Sequence, residues 1–375
     1  MEIQKTSQKI DVAAYVWPSY TGDEPRTRMF WPEGMGEWQS VKNSVKKAPD
    51  HDWPRYPLWG YVNEADPYVM SMEIDAAADH GVNVFIYDWY WFDHRPFLEQ
   101  CLDNGFLKAP NRNRMKFYLM WANHDANHLW DIRQSDCNGS TVIWGGAVDR
   151  HDFEVIVHRV IEKYFSQPNY YQIDGCPVFM IYELRNLVVG LGGIDKCREA
   201  LDYFRAETVK AGFKGLNLQA TVWSVSRGNA SGVDATLSGM SRTDFDRLGF
   251  DSMTHYQFVH FARMDKDYLE ILNDVEQEWE KIDETFKQVY YPHISIGWDN
   301  NPRFREYRPY ICRNNTPENF GKGLELAKRY LEKHPERQRL ITLNSWNEWT
   351  ETSYLEPDTL NGYGYLDAVK AAVLN

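Results

Sequence analysis

Eight short apolar runs are spaced along the 375 residues, and the gaps between them carry longer stretches with apolar residues at helical spacing. The runs fall at 12–17, 82–87, 116–121, 177–182, 216–221, 250–256, 289–296 and 340–343, the one at 250–256 being the weakest. A run of this length reads as a strand buried on both faces, and strand–helix alternation reads as βαβ units around a parallel sheet. Helices are expected from Asp66-Pro67 to Gly81, over 96–102, 153–165, 195–211 and 268–287, from Thr316-Pro317 onward, and over 366–374. Asp66 and Thr316 are N-cap residues followed by Pro at the first helical position, and Gly81 is a C-terminal stop. Eight strands and about eight helices predict an α/β chain, a single (β/α)8 TIM barrel with long βα loops that occupies 1–375 as one domain. An open doubly wound sheet is the alternative, but neither GxGxxG nor a P-loop follows the first run. A Ser- and Gly-rich stretch at 224–241 is expected to be a flexible insertion near the site.

Five of the predicted strands end in aromatic and polar clusters: Asp88-Trp89, Trp121 to Asn123, Tyr182-Glu183, Trp298-Asp299 and Asn344 to Glu351. All five lie on the C-terminal side, the face on which such barrels build active sites. In the last of them, Leu340-Ile341-Thr342-Leu343 opens into Asn344-Ser345-Trp346-Asn347-Glu348-Trp349-Thr350-Glu351. It sets two carboxylates three positions apart among tryptophans. Burying charge beside tryptophan is costly unless the charge is paired or used. Two acids at a strand mouth suit acid–base chemistry at a sugar. The plainer reading makes both glutamates solvated loop residues.

A carbohydrate ligand also fits the 15 Trp, 23 Tyr and 18 Phe, since flat rings stack on the apolar faces of sugars, although large cores consume aromatics too. The net charge of −13 and the absence of a long basic run argue against a nucleic-acid or anionic-membrane partner. The cluster Arg303-Phe304-Arg305-Glu306-Tyr307-Arg308 is short and mixed, and suits a carboxylate or an ion pair better than a phosphate backbone. Cys101, Cys137, Cys176, Cys197 and Cys312 are scattered without CxxC spacing, which points to neither a zinc site nor a disulfide framework. No stretch approaches the roughly 18 apolar residues of a membrane span. Residues 1–10 are polar and lack the apolar segment of a signal peptide, so the chain is either cytoplasmic or one from which an export signal was removed.

The closing motif Ser345-Trp346-Asn347-Glu348-Trp349-Thr350-Glu351, followed by Tyr354-Leu355-Glu356-Pro357 and Tyr363-Gly364-Tyr365-Leu366, resembles that of the WbsX-like proteins. These are relatives of glycoside hydrolase family 99, the endo-acting α-mannosidases and mannanases. The resemblance extends through Tyr87 to Phe92, Trp121-Ala122-Asn123 and Gly297-Trp298-Asp299-Asn300, nearly the whole chain in order. It implies a (β/α)8 barrel and a catalytic pair on Glu348, the general base, and Glu351, the general acid/base. It further implies net retention through a 1,2-anhydro sugar, the base deprotonating the substrate's own 2-hydroxyl. Thr350 stands where family 99 commonly has His, which places the chain nearer the WbsX-like branch and weakens any mannan specificity.

The expected reading is therefore a retaining glycoside hydrolase acting on an oligo- or polysaccharide with an α-linkage. Substrate contacts are expected from Asp88, Trp89, Trp91, Trp121, Asn123, Tyr182, Trp298, Asp299 and Asn344. His124 and His255 read more readily as structural histidines than as catalysts, and Glu356 as a structural carboxylate. A metal reading of His124, Asp125 and His128 lacks the HExxH pattern; no metal or other cofactor is expected. Two rival readings are a glycosyltransferase of surface-polysaccharide assembly, with Arg303, Arg305 and Arg308 available for phosphate, and a non-catalytic carbohydrate-binding protein.

Overall fold

The computed structural model describes residues 9–135, 141–223 and 240–374. Its centre is a ring of parallel strands. In chain order these are β1 (Asp11–Val16), β2 (Val84–Phe92), β3 (Lys116–Trp121), β4 (Cys176–Ile181), β5 (Asn217–Thr221), β6 (Ser252–Thr254), β7 (Val289–Tyr290), β8 (His293–Ser295) and β9 (Leu340–Asn344). Neighbours pair in the order β7-β6-β5-β4-β3-β2-β1-β9-β8. β7 and β8 are one barrel position interrupted at Pro292, which has no N–H to offer a ladder. Val289 and Tyr290 pair with β6, and His293 to Ser295 pair with β9. The break is bridged as Tyr291 N–H donates to Met253 O and Thr342 N–H to Pro292 O, so the ring closes through this split strand. The chain is thus the (β/α)8 barrel that the alternation predicts.

The interior of the ring is buried, and several of its polar groups pair across it. Thr254 and Thr342 share a hydroxyl hydrogen bond of 2.8 Å, and the His293 ring bridges Thr342 and Ser295. Both expected N-caps are in place: the Asp66 side chain accepts from Tyr68 N–H at the helix Pro67–Asp79, and Thr316 accepts from Asn319 N–H at Pro317–Lys333.

Several details differ from the expectation. β2 runs past Tyr87 to Phe92, because its last residues pair antiparallel with Arg95–Phe97. The helix expected at 96–102 is accordingly a strand followed by short wide and tight turns over Cys101–Gly105 and Phe106–Lys108. The sixth strand is only three residues long, which explains its weak signal. The insertion expected at 224–241 lies outside the described residues except for its last two. Among the described residues Cys101, Cys176, Cys197 and Cys312 are unpaired, and no helix is long and apolar enough to cross a membrane.

Candidate active site

β9 is wholly buried, and the chain beyond it folds back at once. Asn347–Glu348 pairs antiparallel with Ser353–Tyr354, and one tight helical turn, Trp349–Glu351, closes the hairpin. Thr352 takes the left-handed conformation (φ 55°) that ends that turn. Two serines lock the base of the hairpin. Ser345 Oγ accepts from Glu348 N–H at 2.7 Å and donates to Ser353 O at 2.6 Å, while Ser353 Oγ donates to Asn344 O at 2.7 Å. This fold-back brings Glu348 and Glu351 to one cleft at the C-terminal mouth of the barrel.

A single buried guanidinium joins them. Arg303, from the loop after β8, donates through Nη1 to Glu351 Oε1 and through Nη2 to Glu348 Oε1, each at 2.7 Å. Its Nε donates to Glu37 Oε1 at 2.8 Å, so one cation serves three carboxylates. Glu348 also accepts from the Tyr256 hydroxyl at 3.3 Å, whereas Glu351 Oε2 is buried without a partner. The single Tyr256 hydroxyl proton is shared with Asp88 Oδ2, at the shorter distance of 3.0 Å, and Asp88 Oδ1 is left unpartnered.

Burial pushes Glu348 well above the usual carboxylate range and the Glu351 charge adds to this, while Arg303 pulls it back. Glu351 is raised by burial and lowered by Arg303, and Asp88 is raised by burial against its hydrogen bond from Tyr256. Adjacent carboxyls whose protons are held in this way suit giving a proton to one oxygen and taking one from another.

The cleft has a volume of about 410 Å³, and Trp17, Tyr90, Trp130, Tyr182, Trp223 and Trp298 supply its aromatic walls. The His260 ring stacks on Trp223 at 3.9 Å and 13°. Burial holds His260 and His124 below the usual histidine range, His260 at about 3, so both are neutral near pH 7.

Of the residues expected from sequence, Glu348, Glu351, Asp88, Tyr182 and Trp298 share this cleft. The other six do not line it. Trp89 and Trp91 alternate with Asp88 and Tyr90 along β2 and so face outward, where Trp89 Nε1 donates to Glu99 and Trp91 Nε1 to Asp152. Trp121 is wholly buried against Phe153. Asn123 ties two strand ends together, its amide donating to Glu183 O at 2.8 Å and its oxygen accepting from Glu183 N–H at 2.7 Å. Asp299 accepts from His51 and from the Asn301 amide, and Asn344 accepts from the Gln257 amide inside the barrel. His255 is structural, bonded to Tyr290 and to Trp223 O, while His124 does line the cleft. His124, Asp125 and His128 do not converge as metal ligands would; Asp125 instead accepts from Gly146 N–H and Asn186.

Sequence reading missed Glu37, Tyr256, Tyr90, Trp17 and the Trp223–His260 stack. The two-residue period of β2 would have found Tyr90 from Asp88. No local pattern marks Glu37, which a loop delivers, and Tyr256 stands at the C-terminal end of the weak 250–256 run.

The model of the family described as "Glycosyltransferase WbsX" matches residues 12–369. The chain belongs to that family. It is 25% identical over 367 residues to the uncharacterised protein WxcX of Xanthomonas campestris pv. campestris, an alignment covering 93% of this chain. It spans about half (48%) of the length of that relative. Among solved structures it is similar to the GH99 endo-α-mannosidase of Bacteroides thetaiotaomicron, with a TM-score of 0.58, 14% identity and 96% of each chain covered. A glycoside hydrolase-like protein superposes with a TM-score of 0.63, also at 14% identity, over 100% of this chain and 96% of the other. This WbsX-family chain therefore has a glycosidase-like barrel.

Proposed function

We propose that this WbsX-family chain is a retaining glycoside hydrolase acting on an α-linked glycan, with Glu348 as general base and Glu351 as general acid/base. What carries the reading is the Arg303 bridge: it holds both carboxylates at the cleft mouth yet leaves Glu351 Oε2 free to hold and deliver a proton. In the first step Glu348 takes the proton of the sugar 2-hydroxyl and O2 attacks C1. The bond from C1 to the leaving oxygen breaks as Glu351 protonates that oxygen. In the second step Glu351 takes a proton from water, the water oxygen attacks C1, and O2 leaves C1 and regains its proton from Glu348. Two inversions at C1 give net retention. Burial raises Glu348 strongly, so its base role needs the donors from Arg303, Tyr256 and the sugar hydroxyl to hold it ionised. This split of roles follows the resemblance to family 99.

The family description names a transferase, and a nucleotide-sugar donor would need cationic groups for its diphosphate. Among the described residues lining the cleft, Arg303 is the one Lys or Arg, and it already serves three carboxylates. That favours hydrolysis. A panel of α-linked glycans assayed for new reducing ends, beside a nucleotide-sugar binding assay, tests the choice. Release of reducing ends without nucleotide-sugar binding is expected, and the reverse would overturn the reading.

A further inference from the structure

Behind the hairpin lie three buried carboxyls that the chemistry above does not use. Glu64, Glu73 and Glu356 are 0%, 0% and 3% exposed, and one oxygen of each lies within 4.8 Å of the others. They come from distant parts of the chain, the loop before the helix Pro67–Asp79, that helix itself, and the segment after the hairpin. Each holds one donor of the closing motif. Trp346 Nε1 donates to Glu73 Oε2 at 3.1 Å, the Asn347 amide to Glu64 at 2.9 Å, and Trp349 Nε1 to Glu356 Oε2 at 2.5 Å. These three donors flank Glu348 in sequence and lead directly into Glu351.

Charge balance fixes the state of the cluster. Among the described residues no Lys, Arg or His hydrogen-bonds or ion-pairs with any of the three; the further partner is the Cys101 thiol, which donates to Glu64. Tyr20, beside Glu64, and Tyr87, beside Glu64 and Glu73, are both neutral there. Three ionised carboxylates this close, with no cation, would repel one another strongly in a dry interior. Glu73 Oε1 and Glu356 Oε1 are buried with no donor directed at them, which is where the protons of neutral carboxyls would sit. Burial pushes Glu356 up to about 8, and Glu64 and Glu73 are raised by burial and by their neighbours' charge.

We propose that Glu64, Glu73 and Glu356 are positioning residues, holding protons in the dry interior and clamping Trp346, Asn347 and Trp349 so that Glu348 and Glu351 stand where the cleft needs them. The proposal rests on the reading of the cleft as a glycosidase site. Glu73→Gln keeps an acceptor for the Trp346 indole, whereas Glu73→Leu does not. Glu73→Leu should lower kcat about tenfold or more with KM within about twofold, and Glu73→Gln should recover most of that loss. Independently of turnover, the thermal midpoint of the parent protein should fall from about pH 6.5 to about pH 8 as the cluster gives up protons, and Glu356→Gln should flatten that fall. Equal kcat in the parent and both Glu73 variants, an unchanged pH slope in Glu356→Gln, or a stoichiometric divalent cation in the purified protein would each overturn the proposal. If the parent cleaves no glycan, the reading of the cleft fails instead, and the pH slope still decides whether the carboxyls hold protons.

Discussion

At the residue scale the site depends on Arg303, which holds Glu37, Glu348 and Glu351 while 4% exposed. Removing one partner from a buried ion pair leaves uncompensated charge, at a cost of about 3–5 kcal/mol. Arg303→Ala should therefore lose about that much stability near pH 7, and less in acid, where the stranded carboxyls take up protons. Denaturant unfolding at two pH values checks both the size and the direction. A loss below about 1 kcal/mol would show that the bridge is not a structural hub. Arg303→Lys should recover little, because one ammonium cannot present the guanidinium's fork to three carboxylates. Part of this was legible in the sequence: the 303–308 cluster read as a partner for carboxylates, but which carboxylates depends on a loop and a hairpin that local pattern does not join. The placement of Glu348 and Glu351 in the cleft was legible because a strand and its charged exit are adjacent in sequence.

At the scale of elements, β2 decides which aromatics can meet a ligand. Its two-residue period puts Asp88 and Tyr90 inward and Trp89 and Trp91 outward, so a cluster that reads as one aromatic platform is split between two faces. Trp89→Phe removes a hydrogen bond to the Glu99 carboxylate, which should cost about 1.5–3 kcal/mol in unfolding free energy and leave KM unchanged. Trp298→Ala, which strips a ring from the cleft wall, should raise KM about tenfold, equivalent to 1.4 kcal/mol, with a small effect on stability. A KM effect at Trp89 and none at Trp298 would reverse the assignment of faces. The barrel itself was legible because strand–helix alternation is a local signal repeated eight times. What escaped was the continuation of β2 to Phe92, since its last residues are held by pairing with Arg95–Phe97 and not by burial pattern. The split of the seventh position between β7 and β8 escaped because Pro292 breaks the ladder without breaking the apolar run.

At the scale of the whole molecule, buried titratable groups give stability a maximum with two separate flanks. Glu24 is raised to about 7 and Glu356 to about 8 from an ordinary value of 4.5, so the folded chain keeps protons that the unfolded chain releases. That contribution is full below about pH 4.5 and is lost as the pH climbs through these values. His255 and His260 are held at about 3 against 6.5, so the folded chain stays neutral while the unfolded chain takes up protons. Their contribution is full above about pH 6.5 and is lost toward about pH 3. Between about pH 4.5 and pH 6.5 the two opposite slopes offset each other, which places the highest thermal midpoint there, with a decline on either side. A midpoint still rising at about pH 8 would contradict the buried, proton-holding state of these carboxyls. On the proposed reading, Glu351 delivers the proton that the departing sugar oxygen needs. The most direct measurement is the rate at which Glu351→Gln cleaves an α-linked glycan with a poor leaving group, beside the parent and with the fold checked by thermal midpoint. The amide can still accept from Arg303, so an intact fold with turnover lowered about 10²–10⁴-fold is expected; turnover equal to the parent's would contradict the account.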